Sequence, residues 1–208
     1  MLKLYSPERA DRIIRRYSGH IEAVSRRYGI PPAYMKAVLY KEIIAIDILD
    51  PVADLLVALN WLFRRGRPFR AGKGLLSRIL NKTDSSTGYA QIFARVGIGA
   101  VNYAARRGLD TPEALGFDKD PDSGDPAQVH ALWRRLLHDR KLNITLGVLN
   151  LIAAAEEMNG HTDFARYTPE ETKRAFTRYN ADVRHVTPYG EETYGYYLGF
   201  LDRGSSEQ

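Results

Sequence analysis

Glu42 is a carboxyl group in an apolar setting. In the run Pro32-Ala33-Tyr34-Met35-Lys36-Ala37-Val38-Leu39-Tyr40-Lys41-Glu42-Ile43-Ile44-Ala45-Ile46, the residues three and four positions away on either side are Val38, Leu39, Ala45 and Ile46. On a helix these four surround one surface spot, so the carboxylate emerges from an apolar stripe. Desolvation disfavours the charged form of such a group and holds its proton to higher pH, which is what a general acid needs. The same spacing also fits a Glu at the edge of the stripe, with its carboxylate reaching water or one of the many Arg residues of this chain.

The elements that must position this group read as helices. Ser6-Pro7-Glu8 is a helix start, with Ser as N-cap and Pro at the first helical position. Ile13, Ile14, Tyr17, Ile21 and Val24 continue at helical spacing, predicting a helix over 7–28. Gly29-Ile30-Pro31-Pro32 stops it and launches the Glu42 helix, which should end between Asp47 and Asp50, ahead of Pro51. A strongly apolar helix follows over 52–65, then a loop over 66–73 and a short helix over 74–80. The polar run Asn81-Lys82-Thr83-Asp84-Ser85-Ser86-Thr87-Gly88 leads into Tyr89-Ala90-Gln91-Ile92-Phe93 as a surface loop, irregular or hairpin-like, around 82–93. Further helices are expected over 97–107, 125–139, 142–158, 168–179 and 191–201. The spacing of acids in Phe117 to Asp125 resembles part of a calcium loop, but the closing Glu is missing and Pro121 interrupts it, so it reads as a surface turn. The fold class is all-α. With 208 residues, one domain over 1–208 is expected, its N-terminal helix 7–28 packed on a core of about 32–201.

A hydrophobic content of 44% and a charged content of 26% are those of an ordinary globular protein. The formal net charge of +5 suits an anionic partner: nucleic acid, acidic lipid or a cell-wall polymer. Basic pairs such as Arg15-Arg16, Arg64-Arg65 and Arg134-Arg135 are scattered rather than gathered in one stripe and read as solvated helix faces, so nucleic acid is not the expected partner. The absence of Cys excludes disulfides and thiolate metal sites. Residues 1–9 lack the apolar stretch of a signal peptide, and no run approaches the ~20 apolar residues of a membrane span.

Four later stretches follow Glu42 in a telling order. They are Gly88-Tyr89-Ala90-Gln91-Ile92, then Asn143-Ile144-Thr145-Leu146-Gly147, then Tyr179-Asn180-Ala181-Asp182, and finally Glu192-Thr193-Tyr194-Gly195-Tyr196. The set resembles the lysozyme-like superfamily, in particular lytic transglycosylases and goose-type lysozymes. In these a catalytic Glu is followed by Gly-x-x-Gln-Ile/Val, Asn-Ile-x-x-Gly, Tyr-Asn-x-Gly and Glu-Thr-x-x-Tyr-Val motifs. The resemblance covers about 32–201, and the order is more specific than any single piece. Individually, Gly88 also fits a turn glycine, Gln91 and Asn143 fit helix caps, and Tyr179 and Tyr196 fit core aromatics. Three departures mark a distant member: Ile43 stands where Ser usually follows the Glu, the interval to Gly88 is long, and Asp182 replaces the usual Gly.

The resemblance implies a lysozyme-like fold cleaving the β-1,4 bond between N-acetylmuramic acid and N-acetylglucosamine in peptidoglycan, with neither metal nor organic cofactor. Glu42 would protonate the leaving oxygen. In a muramidase a second carboxylate assists; in a lytic transglycosylase the same Glu turns base, the muramyl C6 hydroxyl attacks C1, and a 1,6-anhydro product forms. Asp84 is the candidate second carboxylate, and an Asx-turn role fits it equally. Tyr179 or Tyr196 would hold the Glu42 carboxyl, Gln91 and Asn180 would offer amides to the sugar, and Gly88 and Tyr89 complete the substrate-binding set. An inactive glycan-binding or structural relative in a phage or secretion apparatus is the alternative, motivated by Ile43 and by the missing export signal.

Overall fold

The computed structural model describes residues 2–64, 82–118 and 121–205. Among them lie eight α-helices: α1 (Pro7–Tyr28), α2 (Pro32–Ala45), α3 (Asp50–Arg64), α4 (Ala94–Arg106), α5 (Pro126–His138), α6 (Arg140–Asn159), α7 (Pro169–Asn180) and α8 (Pro188–Ser205). Short 3-10 turns occur at Glu113–Leu115 and Phe164–Arg166. Among the described residues there is no strand, only the isolated bridges Lys3 to Asp47 and Thr87 to Ile92, so the protein is all-α. The loop and short helix expected over 66–80 lie outside the described residues. No described helix is long and apolar enough to cross a membrane.

The chain divides into two compact units. The first comprises Met1–Leu4 and Ile46–Asn143; the second comprises Tyr5–Ala45 and Ile144–Gln208.

In the second unit α1 begins as its sequence requires. The Ser6 hydroxyl accepts from the Arg9 N–H, Pro7 opens the helix, and Gly29 closes it at φ 73°, a left-handed conformation that costs glycine little. The helix buries Ala10, Ile14, Ile21, Val24 and Tyr28, and packs on α2. Ala33, Tyr34, Met35, Ala37, Val38, Leu39 and Ile43 of α2 are all buried. A helix apolar around most of its circumference is an interior helix. α2 packs on α8, and α8 on α7. Tyr34 sits among the rings of Phe164, Phe176 and Tyr197 at 4.6–5.5 Å, and its hydroxyl meets Thr172 Oγ1 at 3.0 Å. A capping box between Thr168 and Glu171 starts α7.

In the first unit α4 packs on α5, and Val57, Ala90, Ile92, Ile98, Val101, Val129, Leu132 and Leu136 are buried. Asp125 caps α5 by accepting from the Ala127 N–H, while Asp122 accepts from Gly124 N. Asp122 and Asp125 of the 117–125 run thus serve a turn and a cap.

Candidate functional site

Glu42 lies on α2 with 9% of its surface exposed. Its Oε1 accepts a hydrogen bond from the Tyr189 hydroxyl at 2.5 Å. Tyr189 stands in the first turn of α8, and Gly190 beside it sets how close that turn comes to α7. A Cβ there would lie 2.2 Å from Thr177 Oγ1 and 2.6 Å from the Lys173 carbonyl. One turn further, Thr193 Oγ1 donates to the Tyr189 carbonyl at 2.7 Å, and Lys41 pairs with Glu192.

Burial first, and the negative charge of Glu42 second, push the Tyr179 and Tyr189 hydroxyls well above the ordinary tyrosine range. Both phenols therefore stay protonated donors beside the carboxyl group. A spectrophotometric titration should resolve them. The folded-state values are raised, so this contribution to stability is complete below the unfolded tyrosine value of about 10 and declines as pH climbs above it. Tyr189 and Tyr179 should ionise later than the exposed tyrosines, and Glu42→Gln, which removes the charge but not the burial, should bring them part of the way back. Titration of every tyrosine together near pH ~10 in the folded protein would contradict this arrangement.

Tyr189 is thus a tyrosine bonded to Glu42. The sequence reading assigned that task to Tyr179 or Tyr196; Tyr179 is close enough to feel the charge, whereas Tyr196 packs its ring on Tyr40 at 4.7 Å. Tyr189 and Tyr196 share one face of α8, since seven residues are nearly two turns, and that separation of about 10 Å decides which ring meets which residue of α2. Asn180, the last residue of α7, is exposed.

The remaining predicted residues lie in the first unit. Thr87 and Ile92 are joined by one bridge, with the Thr87 N–H donating to the Ile92 carbonyl at 3.2 Å, so the loop expected around 82–93 is a hairpin-like turn. Within it Gly88 has φ 73° and Gln91 has φ 45°. Gln91 Nε2 donates to the Gly88 carbonyl at 2.8 Å. Asn143, fully buried, clamps the turn: its Oδ1 accepts from Ala90 N at 2.8 Å and its Nδ2 donates to the Thr87 carbonyl at 2.9 Å. Neither Gln91 nor Asn143 is a helix cap. Tyr89 is half-buried with the Arg140 guanidinium 4.8 Å from its ring centre.

Asp84 spends both oxygens on backbone: Oδ1 accepts from Ala94 N and Oδ2 from Arg95 N, each at 3.0 Å. The first N–H groups of α4 have no partner within the helix, and Phe93 at the N-cap supplies no side-chain acceptor, so Asp84 caps α4 from ten residues upstream. Burial nevertheless raises its pKa against the pull of these N–H groups.

Asp54 is a carboxyl group that sequence reasoning passed over. It accepts from Ser85 Oγ at 2.7 Å and Thr87 Oγ1 at 3.4 Å, while Trp133 Nε1 donates to Ser85 Oγ at 2.9 Å. Burial pushes its pKa up. Its i, i+3 spacing to Val57 on an apolar helix was the available signal. The first unit also holds a groove of about 600 Å³ beside α5, where Trp61 stacks on His130 at 4.2 Å.

Comparison with protein-family models, with curated proteins and with solved structures finds no match to this chain.

Proposed function

We propose that this protein cleaves peptidoglycan glycan strands at the β-1,4 bond between N-acetylmuramic acid and N-acetylglucosamine, with Glu42 as the proton donor. The observation that carries the reading is a carboxyl group sunk in an apolar helix and fixed by the Tyr189 hydroxyl. A buried carboxyl group held in one orientation by a neutral donor is suited to hand a proton to a leaving oxygen. The ordered resemblance of the Gly88, Asn143, Tyr179 and Thr193 segments to lysozyme-like enzymes supplies the substrate class.

Of the two products, the anhydro sugar fits better. Asp84 is committed to the amides of Ala94 and Arg95, and Asp54 to the hydroxyls of Ser85 and Thr87. A one-carboxylate route then runs as follows. Glu42 gives its proton to the glycosidic oxygen as the C1–O bond breaks; the muramyl C6 hydroxyl bonds to C1 and its proton returns to Glu42. No water is consumed. Mass spectrometry of purified sacculi treated with the protein should show muropeptides ending in 1,6-anhydro-muramic acid, lighter by one water than hydrolytic products. Reducing ends instead would replace the transglycosylase reading with a muramidase, and saccharide binding without any product would leave a glycan-binding relative.

A further inference from the structure

Helix α1 collects charges that look scattered along the chain. It runs for 22 residues, about 33 Å, and buries Ala10, Ile14, Ile21, Val24 and Tyr28 on one side. At about 100° per residue, Arg9, Arg12, Arg15, Arg16, Arg26 and Arg27 all fall within about 60° of Arg12 on the opposite side, and all six are exposed. The pairs Arg15-Arg16 and Arg26-Arg27 therefore share one face instead of standing apart. Glu8 is the one acid of α1 within that arc. The helix's other two acids are engaged by cations of neighbouring helices: Asp11 accepts from Arg203 of α8 at 3.1 Å, and Glu22 from Lys36 of α2 at 3.1 Å. Helix stability does not account for the stripe. Arg9 stands in the first turn, where the macrodipole favours acids, and Arg12 lies three or four positions from Arg9, Arg15 and Arg16, a spacing at which like charges repel.

Three features of this face select its partner. The cations of α1 are all Arg, with no Lys, and the guanidinium fork fits two oxygens of one phosphate. Besides the charged residues the arc holds only Gly19 and Ala23, so it offers no Leu, Phe or Trp to enter a membrane interface and no ring on which an unpaired base could stack. The arginines also form two clusters, 9–16 and 26–27, separated by ten residues or about 15 Å of helix. The major groove of DNA, about 12 Å wide, is bordered by two rows of phosphates at a comparable separation, whereas that of duplex RNA is narrow. Each cluster can then sit on one backbone while Gly19 and Ala23, which carry no long side chain, pass over the opening.

We propose that the outer face of α1 docks the protein on duplex DNA, astride a major groove, through its two clusters of arginines. The proposal stands on α1 and does not depend on Glu42 being catalytic. It is tested by fluorescence anisotropy of the full chain with a labelled DNA duplex over a range of salt. Each neutralised phosphate adds about −0.9 to the slope of log affinity against log salt, so six arginines should give about −5, and a slope flatter than about −3 overturns the proposal. The triple variant Arg12→Gln, Arg16→Gln, Arg26→Gln should weaken binding at least ~10-fold and flatten the slope by about 3. Its circular dichroism should stay unchanged, because all three side chains face solvent. A second triple variant, Arg106→Gln, Arg134→Gln, Arg184→Gln, removes the same charge from exposed positions elsewhere and should bind like the wild type. Wild-type affinity in the α1 variant overturns the proposal. Equal loss in both variants would assign binding to net charge, and equal affinity for duplex RNA, single-stranded DNA or anionic vesicles would assign the face to another polyanion; either result overturns it too.

Discussion

Replacing Glu42 with Gln is expected to lower the release of fragments from purified sacculi by on the order of 10³-fold, the usual scale of general acid and base catalysis. That loss corresponds to about 4 kcal/mol of transition-state stabilisation. Gln keeps the shape of the side chain and a carbonyl oxygen where Oε1 accepts from Tyr189, so the contact and the packing with Val38, Leu39 and Ile43 should survive. The amide has no proton to give and cannot take one back, and both halves of the proposed reaction fail together. Circular dichroism and melting like the wild type would separate this loss from unfolding. Activity above about a tenth of wild type would remove Glu42 from the acid role, since residual catalysis by binding and orientation alone lies well below that.

Tyr189→Phe separates chemistry from positioning. The variant keeps the acid but deletes the Tyr189 hydroxyl that holds it, so release of fragments from purified sacculi should fall by well under the loss expected of Glu42→Gln and should not be abolished.

How far such features can be read before folding depends on the range of the interaction. Helices were legible because Ser6, Pro7, Gly29 and the 3.6-residue spacing of apolar residues act within a few positions, and the observed α1 has the predicted bounds. The burial of Glu42 was legible for the same reason, from Val38, Leu39 and Ala45 on α2. The part of Tyr189 was not, because it depends on how α8 crosses α2 and on the close approach that Gly190 permits. Asp84 followed the same logic: an Asx turn is a local reading, whereas the observed cap of α4 reaches ten residues ahead. The face of α3 was the hardest, since its apolar residues satisfy helical spacing but local pattern cannot reveal that Asp54 and Asn60 turn inward while Leu62 and Phe63 stay exposed.

The largest stability effect should come from Gly88→Ala. At φ 73° any side chain is strained, and a left-handed residue costs roughly 1–2 kcal/mol more for Ala than for Gly. The site adds a collision, because a Cβ on Gly88 would lie 2.4 Å from both Cγ and Nδ2 of Asn143. Asn143 cannot yield freely: it is fully buried, and moving it breaks the bonds to Ala90 N and the Thr87 carbonyl. Leaving such buried groups unpaired costs about 1–3 kcal/mol each, so the variant should lose at least ~3 kcal/mol, and its melting temperature should drop by about 10 °C. Gly99→Ala is the matched control in the same unit. It is helical, with nothing within 4 Å of its new Cβ, and should be neutral or stabilising by about 0.5–1 kcal/mol. Asn143→Ala combined with Gly88→Ala tests the coupling, because the three atoms nearest the added methyl all belong to that amide. The double variant should therefore be less damaged than the two single losses added together. Strict additivity would mean that Asn143 is not what confines position 88 to glycine.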